Sequence, residues 1–259
     1  MTPADSYTAN GYYIHSVPIL SEDLVQRAIA GQDAICRGEY DRGNGPLPSP
    51  WNPGDPLDKL VKIEQPQFAD SAVWEVVSHS GIGKVAAEIT GAEMVQVWWV
   101  QMLVKPSTDS SESETNVGWH QDRQYWNVWE EGSELFTAWV ALSDVKEDCG
   151  PMRFLRGSHK YGFLDSGDFY GQDLEELAKR IREKRPEATD DVPAILSAGA
   201  VSYHHCLTFH ASGLNRSGRS RRSFAVHMRT EKSRPKDGKK EGLTRFIDDE
   251  TKCPVIWRK

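Results

Sequence analysis

The sequence lacks long apolar runs and any ordered pattern of cysteines. Its longest apolar stretches fall far short of the roughly 18 consecutive residues that a membrane helix needs. The four cysteines, Cys36, Cys149, Cys206 and Cys253, contain no C-x-x-C pair, which excludes a thiolate zinc site and a disulfide framework. Residues 1–6 hold neither a basic cluster nor an apolar run, so no secretory signal is predicted and we expect a cytoplasmic protein without membrane partners.

Internal repeats and low-complexity blocks are also missing, and 259 residues with 38% apolar content predict one buried core. We therefore expect a single domain over residues 1–259. Residues 1–92 are predicted as mainly helical support and loop, and residues 231–259 as a C-terminal tail. Residues 93–230 are predicted as the β-rich core, with a helical insert at about 172–185.

The positive charge is concentrated in one segment, although the net charge of the chain is −7. Residues 216–245 hold 11 Lys and Arg against 3 Asp and Glu. Glycine, proline and acidic residues interrupt this segment, and the overall pI of about 5.7 is acidic. A solvated loop is therefore favoured over a nucleic-acid surface, and no nucleic-acid partner is predicted.

Periodicity predicts helices in the first third of the chain and strands after it. Ser21 is predicted to cap a helix with Leu24, Val25 and Ala28 on one face, and two short helices are predicted at 68–79 and 82–90. Residues 37–58 are rich in Gly, Pro, Asn and Asp and predict a long loop. The predicted strands are residues 11–20, 94–104, 117–126, 136–142, 152–155, 194–195, 199–205 and 222–230. Many short strands of this kind indicate a barrel or sandwich.

The first candidate metal ligands are His120 and Asp122, in the tetrapeptide WHQD at 119–122. If this segment is a strand, the two side chains project from the same face. His210 follows about ninety residues later. Two imidazoles and one carboxylate form the ligand set typical of non-haem Fe(II) oxygenases, which leaves three coordination positions open. His204 and His205 must point to opposite faces of their predicted strand, so one of them competes with His210 for this role.

Five segments, taken together, resemble the phytanoyl-CoA dioxygenase family. They are GWHQDRQYW at 118–126, TAWVAL at 137–142, CGPM at 149–152, GSHK at 157–160 and HHCLTFHASGLNRS at 204–217. The resemblance extends from about residue 11 to about residue 230. It implies a mainly β protein with flanking helices, whose core is a double-stranded β-helix of the jelly-roll, cupin-like kind behind an N-terminal helical segment. It also implies oxidation dependent on Fe(II), 2-oxoglutarate and O₂.

Carried over by position, the resemblance makes the iron ligands, and hence the catalytic residues, His120, Asp122 and His210. It favours His210 over its neighbours because His210 precedes the Ser-Gly-x-Asn turn. Arg221, eleven residues later, matches the arginine that binds the distal carboxylate of 2-oxoglutarate, a task suited to its planar fork.

The remaining co-substrate contacts implied by the resemblance are less direct. Ser212 is implied to donate its hydroxyl to the same carboxylate. Trp139 and Met102 match positions lining the co-substrate pocket, although plain barrel core explains both equally well. The family's co-substrate lysine is left unassigned, because the region of Lys59 and Lys62 aligns too loosely.

The resemblance implies a hydroxylase that oxidises an unactivated C–H bond of a small organic metabolite and releases succinate and CO₂. Asp122 fills the position that related halogenases leave open for chloride, which favours hydroxylation. Substrate selection is expected from residues 37–58, 109–114 and 173–185, and three basic residues are candidates for an anionic group: Lys105, Arg123 and Arg153.

The alternative is a metal-binding β-barrel protein with a non-oxygenase activity or a non-catalytic binding role. Arg221 and Ser212 argue against it, because a dicarboxylate co-substrate explains both. The oligomeric state is left open.

Overall fold

Two antiparallel sheets form the core of the computed structural model, which describes residues 1–111 and 113–259. The strands are β1 (Tyr12–His15), β2 (Val61–Glu64), β3 (Met94–Lys105), β4 (Val117–His120), β5 (Leu135–Ala141), β6 (Met152–Leu155), β7 (Asp191–Pro193), β8 (Val201–His205), β9 (His210–Ser212), β10 (Arg221–Thr230) and β11 (Val255–Arg258). The large sheet has the order β1-β8-β5-β10-β3-β11, with β2 also paired to β3. The small sheet has the order β4-β9-β6-β7.

The inner faces of the two sheets pack against each other. One buried cluster contains Leu103 and Trp139 from the large sheet together with Met152 and Phe154 from the small sheet. This packing of two sheets is the predicted jelly-roll arrangement, and within the described residues the sheets do not close into a barrel.

The helices are α1 (Pro3–Asn10), α2 (Glu22–Cys36), α3 (Ser71–Val77), α4 (Ser80–Thr90) and α5 (Leu174–Lys184). The predicted cap at Ser21 is confirmed, because its side chain accepts a hydrogen bond from the backbone N–H of Leu24. Helices α2, α3 and α4 cover the outer face of the large sheet, where their apolar sides join one buried cluster with β3, β5 and β10. The helix α5 packs against Trp119 of β4 instead.

The structure differs from the predicted elements in several places. The strand predicted over 117–126 ends at His120, and a 3₁₀ helix, Asp122–Tyr125, follows it. The strand predicted at 194–195 lies at Asp191–Pro193. The sequence did not predict α1, β2, β9 or β11, because a short element shows too little of the helical or strand period to be recognised.

The last part of the chain is integrated into the fold rather than forming the predicted tail. The strand β11 pairs with β3, and the buried side-chain amide of Gln96 donates to the carbonyl oxygens of Ile247 and Cys253 at 2.8 Å each. Within residues 1–111 and 113–259, no helix has the length and apolar character needed to cross a membrane.

Candidate metal centre and co-substrate pocket

Three side chains converge between the sheets: those of His120, Asp122 and His210. His120 ends β4 and His210 begins β9, and the two residues face each other in the register of the small sheet. Asp122 lies at the start of the 3₁₀ helix that follows β4. Their candidate ligand atoms all lie within 4.8 Å of one another. The predicted set therefore meets, although the turn after β4, and not a shared strand face, brings Asp122 to the site.

Backbone carbonyls set the orientation of both imidazoles. Nδ1 of His120 lies 2.8 Å from the Gly118 carbonyl oxygen, and Nδ1 of His210 lies 2.9 Å from that of Thr208. A carbonyl only accepts, so each Nδ1 carries the proton and each Nε2 keeps its lone pair. These Nε2 atoms lie 3.7 and 3.6 Å from Oδ1 of Asp122. Two nitrogen lone pairs and one carboxylate oxygen thus face a common point, as a divalent metal requires.

The second oxygen of Asp122 is held by two neighbours. Thr137 Oγ1 donates to Oδ2 at 2.8 Å, and His204 Nε2 lies 3.2 Å from the same oxygen. Nδ1 of His227 lies 2.8 Å from the Thr137 hydroxyl, which completes a chain behind the carboxylate. Oδ2 is therefore occupied by hydrogen bonds, and Oδ1 is the oxygen left for a metal.

This arrangement separates His204 from the ligands. His204 does face the site, but its Nε2 contacts the outer oxygen of Asp122, whereas His210 joins the converging set. His205 points the other way, towards His159.

Burial adjusts the protonation states of the site. It lowers the pKa of His210 well below its ordinary value, and the neighbouring His120 and His204 add to this effect. Burial alone would raise the pKa of Asp122, but His210, His120 and His204 outweigh it and hold that pKa well below the usual range. A neutral His210 and an ionised Asp122 are the forms that bind a metal.

A second group of polar side chains lies deeper between the sheets, around Arg221 on β10. Its Nη1 donates to the carbonyl oxygen of Gly150 and, at 2.9 Å, to the hydroxyl of Ser212. Its guanidinium carbon lies 5.0 Å from the centre of the Trp139 ring. Burial lowers the pKa of Arg221 to about 10. Among the described residues no carboxylate pairs with Arg221, and its buried Nε has no hydrogen-bond partner. A buried, incompletely bonded guanidinium fits the carboxylate of 2-oxoglutarate.

The model of the phytanoyl-CoA dioxygenase (PhyH) family matches residues 13–223. The chain belongs to the phytanoyl-CoA dioxygenase family. The predicted family is thereby confirmed, and its members are Fe(II)- and 2-oxoglutarate-dependent oxygenases. A curated relative, dioxygenase cdmD of Talaromyces verruculosus, is 25% identical over 157 residues, which are 60% of this chain. The chain spans about half the length of that relative, since the match covers 46% of it.

Solved structures of similar fold share little sequence with this family member. The epimerase SnoN from nogalamycin biosynthesis, solved in complex with Fe³⁺, α-ketoglutarate and nogalamycin RO, has a TM-score of 0.69 at 21% identity, covering 95% of this chain and 88% of SnoN. EvdO2 of Micromonospora carbonacea var. aurantiaca, complexed with 2-oxoglutarate, has a TM-score of 0.64 at 19% identity, covering 90% of this chain and 91% of EvdO2. These likenesses confirm the predicted fold.

In this phytanoyl-CoA dioxygenase family member, Met102 does not reach the co-substrate pocket as the resemblance implied. Its side chain lies in the core beneath the helices, and its register partners are Phe224 and Ile63. Leu103 instead lines the pocket, because neighbouring residues of a strand point to opposite faces. Trp139 lines this pocket and also belongs to the buried core between the sheets.

The three candidate basic residues have different surroundings. Arg123 donates to the backbone carbonyls of Trp126 and Trp129, at 2.7 and 3.0 Å. Arg153 pairs at the surface with Asp191. Lys105 is fully buried against Ser212, on the inner face of β3.

A wider cavity of about 360 Å³ opens on the other side of the metal ligands. It is lined by Pro48, Pro50, Lys62, Glu64, Trp99, Gln101, His120, Asp122, Tyr125, Trp126, Phe169, Tyr170, His227 and Leu243. Pro48 and Pro50 belong to the predicted loop 37–58, whereas α5 contributes no lining residue. Residue 112, within the acidic loop predicted to select substrate, lies outside the described residues.

Proposed function

We propose that this protein hydroxylates an unactivated C–H bond of a small organic molecule, with conversion of 2-oxoglutarate to succinate and CO₂. The observation that carries the proposal is the position of the three candidate metal ligands between two neighbouring spaces. The His120, Asp122 and His210 ligand atoms lie between a narrow pocket that ends at Arg221 and the 360 Å³ cavity. His120 and Asp122 line both spaces, so a molecule in either lies beside the metal ligands.

Each part of the chain has a distinct task in this reaction. His120, Asp122 and His210 would hold Fe(II), which together with 2-oxoglutarate and O₂ supplies the oxidising power. Arg221 would bind the distal carboxylate of the co-substrate through a charge-assisted contact. The apolar walls at Leu103 and Trp139 would exclude water from this pocket.

The substrate is proposed to bind in the aromatic cavity. Phe169 lines both spaces, and its ring centre lies 5.1 Å from that of His120. Apart from the metal ligand Asp122, the charged side chains of the wall are Lys62 and Glu64, whose Nζ and Oε1 lie 3.5 Å apart. Glu64 also accepts hydrogen bonds from the side chains of Trp99 and Gln101. Because these two charges balance, the cavity suits an uncharged or weakly polar ring system. SnoN, an epimerase, and SnoK, a carbocyclase, are similar in fold, so the product must be determined directly.

Anaerobic titration of the metal-free protein with Fe(II), then 2-oxoglutarate, tests the proposal. We expect a weak visible charge-transfer band from the chelated keto acid, and release of succinate once O₂ is admitted. His120→Ala and Asp122→Ala should lose both signals. Arg153→Gln, which removes a surface charge pair, serves as the control.

Two outcomes would contradict the proposal. Iron binding without the band would indicate a different metal-dependent activity. An identified product whose mass shows no added oxygen atom would exclude hydroxylation and point to epimerisation or ring closure.

A further inference from the structure

Two fully buried cations meet at one serine hydroxyl behind the co-substrate pocket. Lys105 and Arg221 are register partners on β3 and β10 and point to the same inner face. Lys105 Nζ donates to Ser212 Oγ at 2.7 Å, and Arg221 Nη1 donates to the same oxygen at 2.9 Å. Both side chains are almost without solvent contact. Such a pair of like charges is costly inside a protein unless an anion compensates it.

No acidic side chain among the described residues pairs with either cation. Lys105 directs its remaining donors to the backbone carbonyl oxygens of Ser212, at 3.0 Å, and Gly213, at 2.6 Å. All three N–H groups of the ammonium are thereby used, and Lys105 does not line the pocket. Arg221, in contrast, lines the pocket and keeps an unpartnered Nε. The two cations therefore have different tasks.

The hydroxyl of Ser212 is also fully used. It donates its single proton to the Gly150 carbonyl oxygen at 2.9 Å and accepts from Lys105 and Arg221. In this arrangement Ser212 has no proton left for a co-substrate carboxylate. Its contacts instead join the lysine to the arginine and fix the guanidinium against the ring of Trp139.

Resting on the proposed function, we propose that Lys105 is a positioning residue for 2-oxoglutarate. It acts through Ser212, fixes the guanidinium of Arg221, and adds a second positive charge near the distal carboxylate. The pocket thereby selects 2-oxo acids with a second carboxylate. Burial, and then the nearby charge of Arg221, lower the pKa of Lys105 well below its ordinary value. The negative charge of a bound co-substrate carboxylate would favour the charged form of Lys105 and so offset part of this effect.

The test compares two ligands that differ only at the distal end. Anaerobic Fe(II)-loaded protein is titrated with 2-oxoglutarate and with 2-oxopentanoate, in which a methyl group replaces that carboxylate, and the charge-transfer band gives both affinities. Lys105→Met should weaken 2-oxoglutarate binding by roughly tenfold and leave 2-oxopentanoate binding within about twofold. Lys105→Arg, which retains the charge, should recover part of the preference.

Arg222→Met is the matched control. Arg222 lies next to Arg221 but faces outwards, where it pairs with Asp33 at 2.7 Å. Its loss should leave the ratio of the two affinities unchanged, since it removes a charge from the same strand without touching Ser212.

The outcomes separate this inference from the proposed function. If wild-type protein binds iron and gives no band with 2-oxoglutarate, the proposed function fails. If wild type prefers 2-oxoglutarate and Lys105→Met keeps that preference, or loses affinity for both acids equally, only the role of Lys105 is refuted. Should Lys105→Met not fold, Lys105→Gln decides, because it removes the charge and keeps a side-chain donor for the Ser212 hydroxyl. Loss of the preference supports the inference, and an unchanged preference overturns it.

Discussion

Replacing Thr137 by valine tests whether the outer oxygen of Asp122 must be held for the metal site to form. The change preserves the shape of the side chain and removes one hydroxyl. That hydroxyl donates to Asp122 Oδ2 at 2.8 Å and meets His227 Nδ1 at 2.8 Å on its other side. Without it, His204, at 3.2 Å, is the remaining side-chain contact of Oδ2, and the carboxylate is held less firmly towards the two imidazoles.

The expected size of the effect follows from the charge of the acceptor. A hydrogen bond to an ionised group contributes about 1.5–3 kcal/mol. Because His204 still holds Oδ2, we take the lower end of this range, about 1.5 kcal/mol. This corresponds to about a tenfold rise in the dissociation constant of Fe(II), in line with the roughly 10–100-fold losses seen when hydrogen bonds behind metal ligands are removed.

The assay is anaerobic competition for Fe(II) between the protein and a chromophoric chelator. Thr230→Val is the matched control, since Thr230 is also buried on the large sheet and donates to a carboxylate, that of Glu134, at 2.8 Å. Both variants lose a comparable hydrogen bond, so urea unfolding should give similar losses of stability. Only Thr137→Val should weaken iron binding. Equal iron affinities in the two folded variants would refute the reasoning and show that Asp122 is oriented without Thr137.

Three further predictions concern the pocket, the cavity and the buried histidines. Arg221→Met should raise the 2-oxoglutarate concentration for half-saturation of the charge-transfer band by roughly 30-fold or more, from a loss of at least about 2 kcal/mol; an unchanged value would move the carboxylate site elsewhere. Phe169→Ala should release more succinate than hydroxylated product, because the wall that holds the substrate beside His120 is lost. An unchanged ratio of succinate to product would contradict this. Burial lowers the pKa of His227 to about 4, so the unfolded chain takes up this proton first and stability falls as the pH drops from about 6.5 towards 4. Urea unfolding of the metal-free protein should therefore show a smaller loss of unfolding free energy between pH 7 and 5 for His227→Gln than for the wild type. Equal losses would show that His227 is not a source of this pH dependence.

The parts of the fold that the sequence predicted are those with a clear period. The helices α2 and α5 alternate apolar and polar residues at helical spacing over eleven or more positions, and β3 is a long β-branched and aromatic run. The strand β9 has three residues, too few for any pattern. It nevertheless carries His210 and Ser212, so the candidate site was recognised by resemblance and not by periodicity.

The site itself was predicted less completely than its three metal ligands. Thr137 and His227 lie on separate strands far from His120 in sequence, and nothing in their local surroundings marks them as neighbours of a carboxylate. Lys105 did carry a signal, because a charged residue at the end of a largely apolar strand is unusual in a core. Its partner Ser212 could be found only once the register of the sheets was known.

Register is the property that connects this sequence to its chemistry. In the small sheet it places His120 opposite His210, and in the large sheet it places Lys105 opposite Arg221. A shift of one residue along β3 would turn Lys105 outwards and bring Met102 or Val104 into the pocket, because successive side chains alternate between faces. The assignment of Met102 was wrong by one position for this reason. The apolar positions beside Lys105 accept several different side chains, because many apolar side chains can fill a core. A buried ammonium is more demanding, since each of its three N–H groups needs an acceptor, and the register of the sheets provides these acceptors at Lys105.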